Sequence, residues 1–172
     1  HRYSSAASDV YKRQELSFYR RYGYGTSAFG EGWALYSEQL ALEAGLATDP
    51  YDEIGILQSE LFRAVRLVVD TGIHYKKWTR EEAMNYMKEK TGMSDTEVRS
   101  EIERYIVWPA QALSYKVGML KVLELRQLAM DALGDDFNFK EFHSILLDNG
   151  EPPLFILEKL VKDWIALKQL VS

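Results

Sequence analysis

The sequence predicts an all-α protein, a single domain of six to seven helices, and three observations support this. Apolar residues recur at three- and four-residue spacing through most of the chain after Glu31. Capping residues and terminal glycines divide that pattern into separate helices. No segment shows sustained apolar–polar alternation bounded by turn dipeptides, so no sheet is expected. Residues 15–30 are expected to form an irregular or partly helical lead-in.

The first three helices follow from periodicity and caps. The segment EGWALYSEQLALEAG carries an apolar face and a natural stop at Gly45. Residues 52–72 place Ile, Leu and Val on one face. A capping box then starts the third helix, with Thr79 as N-cap and Glu82 three residues on, and this helix ends at Gly92.

The second half of the chain repeats these signals. Ser94 and Glu97 form another capping box, and Pro109 interrupts the chain after that helix. Residues 110–133 predict one long amphipathic helix, and FKEFHSILLDNG predicts a short one. Two prolines, Pro152 and Pro153, begin the last helix. Trp33, Trp108 and Trp164 are expected to anchor the core.

Residues 1–14, HRYSSAASDVYKRQ, lack helical or strand periodicity and resemble a translated adapter sequence. We therefore expect residues 15–172 to be the native part, and His1 is not considered a metal ligand. Any export signal would precede this part, so the sequence leaves the compartment open.

Composition excludes several function classes. The chain has 172 residues, a formal charge of −5 and no cysteine. Cys-ligated metal sites and thiol nucleophiles are therefore excluded, and the charge argues against a nucleic-acid partner. No apolar run is long enough to span a membrane. The sequence contains no H-E-x-x-H, G-x-S-x-G or Walker motif, so it carries no complete catalytic motif of its own.

The most informative segment is FGEGWALYSE. Glu31 and Glu38 lie seven residues apart, which places both carboxylates on nearly the same helical face. Glu31 is expected at the helix start, where its charge favours the dipole, while Gly30 and Gly32 permit close approach by another backbone. On spacing alone, the simpler interpretation is an N-terminal helix charge at Glu31 and a solvated Glu38.

Together, EGWALYSEQLALEAGL, RAVRLVVDTGIH, WTREEA and RYIVWPAQALSYKVG resemble the C-terminal part of a bacterial family, domain of unknown function 885. The resemblance runs from about Glu15 to the C-terminus. That family resembles the gluzincins, helical zinc metallopeptidases akin to carboxypeptidase Taq, thimet oligopeptidase and angiotensin-converting enzyme. It implies that this chain is the C-terminal portion of a larger gluzincin-like fold.

The resemblance also implies a zinc-dependent peptidase. A motif of the H-E-x-x-P-G-H type precedes the EGWALY block in the family and supplies two His ligands and the general base. Glu31 matches the third zinc ligand, and the chain forms one wall of the cleft. The upstream motif is missing from this sequence, so the fragment alone is expected to be inactive and to bind no zinc tightly. Its expected partners are a peptide substrate and the missing N-terminal part.

The candidate donors of a hydrogen bond to the developing oxyanion are His74, Tyr115 and Tyr105. His74 follows the second helix, where a loop could direct it into a cleft. Tyr115 lies one turn after Gln111, and Tyr105 precedes the Pro109 break. The alternatives are a partly exposed loop histidine and tyrosines used for packing.

Two arginines are candidates for substrate binding. Arg66 lies four residues before Asp70, so a structural i,i+4 ion pair is the simplest interpretation. If Arg63 or Arg66 faces the cleft instead, it can clamp a peptide carboxylate through two hydrogen bonds.

Two rival functions remain open. One is a non-catalytic helical binding or scaffolding module, which fits a fragment without a complete metal site. The other is a di-metal carboxylate bundle, but the Glu-x-x-His repeat that it needs does not occur.

Overall fold

The computed structural model describes residues 16–20 and 25–170. Within these ranges the chain forms seven α-helices and no strand, which confirms the all-α prediction. The helices are α1 (Ser27–Glu43), α2 (Pro50–His74), α3 (Arg80–Thr91), α4 (Asp95–Val107), α5 (Ser114–Leu133), α6 (Phe139–Leu147) and α7 (Leu154–Gln169). None of the helices described is both long and apolar enough to cross a membrane.

Both predicted capping boxes are present. Thr79 and Glu82 exchange side-chain and backbone hydrogen bonds at the start of α3, and Ser94 and Glu97 do the same for α4. Gly92 ends α3 in the left-handed conformation, with φ of 68°, which glycine adopts without steric cost. The third and fourth helices therefore begin where local sequence rules place them.

Replacing the Thr79 cap should measurably weaken the protein. We expect Thr79→Ala to lower the free energy of unfolding by about 1 kcal/mol, because the Glu82 amide loses its acceptor. Thr96→Ala, at an exposed position in the first turn of α4, is the control and should change stability by less than about 0.5 kcal/mol. Urea unfolding of both variants measures the difference, and equal midpoints would contradict the cap's contribution.

Two predicted helix boundaries are wrong. The stretch 110–133 is not one helix: Gln111–Leu113 form a 3-10 turn and α5 begins at Ser114. Ala110 just before it has φ of 67°, a left-handed conformation that breaks the helical path after Pro109. The second is the helix start expected at Glu31, because α1 starts at Ser27. The lead-in itself is partly helical at residues 18–20, one of the two expected alternatives.

The early start of α1 has a tertiary cause. The Thr26 hydroxyl donates to the Pro152 carbonyl at 3.0 Å, and the Thr26 carbonyl accepts the amides of Phe29 and Gly30. Glu31 therefore lies in the second turn, and the first turn of α1 contains no acidic residue. The predicted helix-dipole contribution of Glu31 is corrected accordingly, because that effect falls off beyond the first turn.

The described residues form two compact units, one of Leu35–Val117 and one of the described residues before Leu35 together with those after Val117. In Leu35–Val117, α2 packs against α3, α4 and the 3-10 turn. Its core is an apolar cluster contributed by these elements: Val65, Val69, Ala83, Met87, Val98, Ile102, Tyr105 and Ala112. This core fixes the face of α2 on which the candidate site residues lie.

In the other unit, α1 and α5 cross at two glycines. A Cβ on Gly32 would lie 2.4 Å from the Gly118 Cα, so the two backbones touch. The predicted close approach is thus confirmed at Gly32. At Gly30 a Cβ would lie 3.6 Å from the Glu151 carboxylate, an ordinary contact with a side chain.

The three tryptophans expected in the core differ in how far they are buried. Trp164 is buried, and Trp33 packs edge-on against His143 with ring centroids 5.4 Å apart. Trp108 is 62% exposed, so its predicted place in the core is wrong. It caps the C-terminus of α4, where the chain turns toward Pro109 and leaves the packed face.

Candidate functional site

Most of the sequence-predicted site residues come together in the unit Leu35–Val117. Arg63, Arg66 and His74 lie along α2, Tyr105 lies near the end of α4, and Tyr115 is the second residue of α5. Arg63 and Arg66 are three residues apart and Arg66 and His74 eight, which keeps these positions on one side of α2. Gln111 begins the 3-10 turn, so it and Tyr115 belong to separate helical segments and do not share one continuous helical face.

Arg66 is the centre of this group. It is 3% exposed, and its guanidinium lies over three aromatic rings, at 4.5 Å from Tyr115, 5.3 Å from Phe62 and 5.4 Å from Tyr105. Its Nε and Nη2 are buried and have no hydrogen-bond partner in the part of the chain that the structure describes. Cation–π contact compensates part of the desolvation of the charge, but the ring faces accept no in-plane hydrogen bond.

The expected ion pair between Arg66 and Asp70 is not formed within the described residues. Asp70 is 2% exposed, and its two carboxylate oxygens accept the Ala110 amide at 3.1 and 3.2 Å. The carboxylate thereby holds the strained turn after Pro109. Arg66 acts on Asp70 only through its charge.

Burial raises the pKa of Asp70, and the Ala110 hydrogen bond, the His74 charge and the Arg66 charge offset only part of this rise. The folded protein therefore binds the Asp70 proton more tightly than the unfolded chain does. The ionised carboxylate costs stability above the folded pKa, and this cost disappears as the pH falls below the unfolded pKa of about 3.9.

Asp70→Asn is expected to remove this cost while it keeps an acceptor for Ala110. Because the pKa of Asp70 is raised in the folded state, wild-type stability relative to Asp70→Asn should increase as the pH falls through that pKa. Thermal unfolding of both proteins from pH 7 to pH 4 measures the difference. A difference that does not change with pH would contradict the raised pKa.

Arg63 is connected to Glu38 through Ser59. The Arg63 Nη1 donates to the Ser59 Oγ at 2.8 Å, and that hydroxyl donates to the Glu38 Oε2 at 2.9 Å. Glu38 is half-buried and hydrogen-bonded, so the interpretation of a simply solvated Glu38 is wrong. Ser59, Phe62 and Arg63 also line a pocket of about 270 Å³.

His74 is the last residue of α2, so the predicted loop position is corrected. Its Nε2 lies 2.8 Å from the Tyr105 carbonyl oxygen. Because a carbonyl can only accept, Nε2 carries the proton of this hydrogen bond. The histidine thus ties the end of α2 to the end of α4.

Tyr105 is buried, and its hydroxyl donates a short hydrogen bond to the Glu101 carboxylate. Burial and this hydrogen bond raise the pKa of Tyr105, while the charge of Arg66 and a hydrogen bond from Arg66 oppose the rise. The phenol therefore stays protonated with its proton directed at Glu101. Its ring and that of Tyr115 both contact the Arg66 guanidinium, so the two tyrosines lie close to the same side chain.

Glu31 belongs to the other unit, on α1 between the two glycines Gly30 and Gly32. The side chain is half-buried and not directed wholly into solvent. The described residues contain no group of three or more His, Asp or Glu that could hold a metal ion. A carboxylate oxygen is a normal zinc ligand, so Glu31 fits one position of a zinc site and further ligands are needed.

Sequence reasoning missed three groups that organise the site: Ser59, Glu101 and the Ala110 amide. Ser59 lies four residues before Arg63, and Glu101 lies four before Tyr105, so an i,i+4 search would have found both. The Ala110 amide had no sequence signal, because its partner Asp70 is forty residues away.

Comparison with known proteins gives a family and two solved structures. Residues 7–161 match the family model described as bacterial protein of unknown function, DUF885. The match begins inside segment 1–14, which lies outside the described residues. No curated protein matches the chain.

The first solved structure is "the putative lipoprotein from Colwellia psychrerythraea", with 52% identity and a TM-score of 0.87 over 94% of this chain. The second is "a putative lipoprotein of unknown function from Shewanella oneidensis", with 25% identity and a TM-score of 0.84 over 91% of this chain. The chain spans 28% and 29% of those two proteins.

Proposed function

The chain belongs to the bacterial family DUF885, and from that premise we propose that it is part of a zinc-dependent peptidase. In this proposal the chain supplies the third zinc ligand, Glu31, and one wall of the substrate cleft. The two imidazole ligands and the general base come from a segment of the longer protein outside this chain. The observation that carries the proposal is the EGWALY block, which places a half-buried carboxylate at position 31 of α1.

Zinc held by two imidazoles and the Glu31 carboxylate would lower the pKa of a bound water, which is the chemistry that it would supply for peptide hydrolysis. The residues of this chain bind and orient the peptide. Tyr115 is the proposed donor to the oxyanion, because a phenol of pKa about 10 donates a hydrogen bond at neutral pH and stays uncharged.

Tyr105 and His74 are proposed to position the site. The Nε2 of His74 donates to the Tyr105 carbonyl and so joins the end of α2 to the end of α4, while the Tyr105 hydroxyl donates to Glu101 within α4 and its ring contacts Arg66. Gln111, at the 3-10 turn before Tyr115, stays a proposed contact to the substrate backbone.

The test uses the longer protein that contains this chain. We expect it to cleave short peptides, to lose that activity on dialysis against a chelator, and to regain it when zinc is added back. Magnesium is the control metal and should restore nothing, because its preference for octahedral oxygen ligands does not suit a site with two imidazoles. Cleavage that resists the chelator would contradict zinc dependence.

If the protein cleaves no peptide with zinc present, the alternative of a non-catalytic helical binding module replaces the peptidase. The described residues by themselves form no complete metal site, which is the observation that favours this second candidate.

A further inference from the structure

We propose that Arg63 and Arg66, with the rings of Phe62 and Tyr115, form a binding site for the free C-terminal carboxylate of a peptide. This arginine–aromatic cluster lies wholly within the unit Leu35–Val117. The inference deepens the proposed function by naming the end of the substrate that is recognised, and it rests on that function for its biological meaning.

The free hydrogen-bond donors of Arg66 carry the inference. Nε and Nη2 form one edge of the planar guanidinium, and among the described residues neither has an acceptor. The three aromatic rings pack on Arg66 at 4.5 to 5.4 Å, and Arg66 also donates a hydrogen bond to the Tyr105 hydroxyl, but no carboxylate of the described residues accepts from Nε or Nη2. Two parallel N–H donors in one plane match the two oxygens of a carboxylate.

The acids nearby do not satisfy Arg66. Asp70 directs both oxygens to Ala110, Glu101 accepts from Tyr105 and pairs with Arg104, and Glu38 accepts from Ser59. Leaving a buried donor unsatisfied costs about 1–3 kcal/mol, more for a charged group. An external anion removes this cost when it binds, so the site favours an anionic ligand.

Arg63 lies between Arg66 and a pocket through which a ligand can enter. It lies three residues before Arg66, and its guanidinium contacts the same two rings, at 5.4 Å from Phe62 and 5.6 Å from Tyr115. The pocket of about 270 Å³ opens beside Arg63 and Phe62. Because the free edge of Arg66 is buried, the carboxylate reaches it only when the Phe62 or Tyr115 side chain moves.

If Arg66 has a structural role, replacing it should lower the stability of the protein. If its role is to bind a ligand, replacing it should leave stability unchanged or raise it. A buried charge without an ion-pair partner is often replaced by an apolar side chain of similar size without loss. We expect Arg66→Met to unfold at the same or a higher temperature than wild type, while it loses carboxylate binding. Marked destabilisation would show that Arg66 is held for packing.

The binding experiment uses the chain without zinc and two probes of nearly equal shape, N-acetyl-L-phenylalanine and its neutral amide. Titration calorimetry or NMR should show that wild type prefers the acid by at least about tenfold, the effect of a charge-assisted bidentate contact. Arg66→Met and Arg66→Lys should lose that preference, and Arg63→Met should reduce it. Arg66→Lys keeps the charge without the planar fork, so it tests the geometry in a variant that retains the cation.

Arg99→Met, at an exposed position of α4, is the matched control and should bind both probes as wild type does. Equal binding of acid and amide by wild type would overturn the proposal. Tighter binding of inorganic phosphate than of the acid would overturn the assignment to a carboxylate. Because zinc is absent, failure here is distinct from failure of the proposed peptidase activity.

Discussion

Gly118→Ala is expected to lower the free energy of unfolding by about 3 kcal/mol or more, among the largest effects of any conservative change in the chain. A Cβ at position 118 would lie 1.8 Å from the Ala28 carbonyl oxygen and 2.7 Å from the Gly32 Cα. Both obstacles are backbone atoms of α1, so no side-chain rotation relieves the clash. The two helices must separate, and the packing around them is lost.

The same change bears on function because Gly32 is the neighbour of Glu31. Separation of α1 from α5 at Gly32 would displace the segment that carries the proposed ligand. Gly32→Ala should act in the same way, since its Cβ would meet the Gly118 backbone at 2.4 Å.

Gly55→Ala is the matched control within a helix. No atom lies within 4 Å of a Cβ at this position of α2, so alanine gains its helix propensity without a clash. We expect Gly55→Ala to raise stability by about 0.5–1 kcal/mol. Thermal unfolding should separate the two variants by roughly 6–12 °C or more. Equal melting temperatures would contradict backbone contact between α1 and α5.

Glu31→Gln in the longer protein is expected to lower peptide hydrolysis by at least about 100-fold and to reduce the bound zinc. The amide has nearly the shape of the carboxylate but lacks its charge, and a neutral oxygen is a much weaker ligand for zinc. Helix α1 should be unaffected, because glutamine and glutamate have similar helix propensities.

Glu43→Gln provides the comparison, since Glu43 is an exposed residue at the end of the same helix. We expect it to keep full activity and full zinc. Circular dichroism and melting temperature check that both variants fold. A Glu31→Gln protein with wild-type kcat/KM would remove Glu31 from the metal site.

The sequence was informative where the relevant interactions are local. The capping boxes at Thr79 and Ser94 join residues three positions apart, so a short window contains the whole signal. The same holds for the left-handed glycine that ends α3. These features placed both ends of α3 and the start of α4 correctly.

Prediction failed where a distant backbone group intervened. The Arg66–Asp70 pair looked complete from spacing, but the Ala110 amide takes both Asp70 oxygens. Helix α1 begins before Glu31 because Thr26 is anchored to the Pro152 carbonyl, far away in the sequence. No single-sequence pattern reports such contacts.

For the candidate site, the sequence indicated several of the residues that lie together but not the contacts that they make. Tyr105 and Tyr115 were both named as candidates, and both rings contact Arg66. The hydrogen bonds from Tyr105 to Glu101 and from His74 to the Tyr105 carbonyl were not anticipated, because burial and side-chain direction arise only from packing. The free edge of Arg66 likewise became visible only in three dimensions.

The most direct test of the central claim is the metal content of the longer protein, purified without added metal and measured by native mass spectrometry with elemental analysis. The account predicts one zinc ion per chain in wild type and a loss of most of it in Glu31→Gln. Wild-type protein that is folded but carries no zinc, and takes up none when zinc is supplied, would contradict the account.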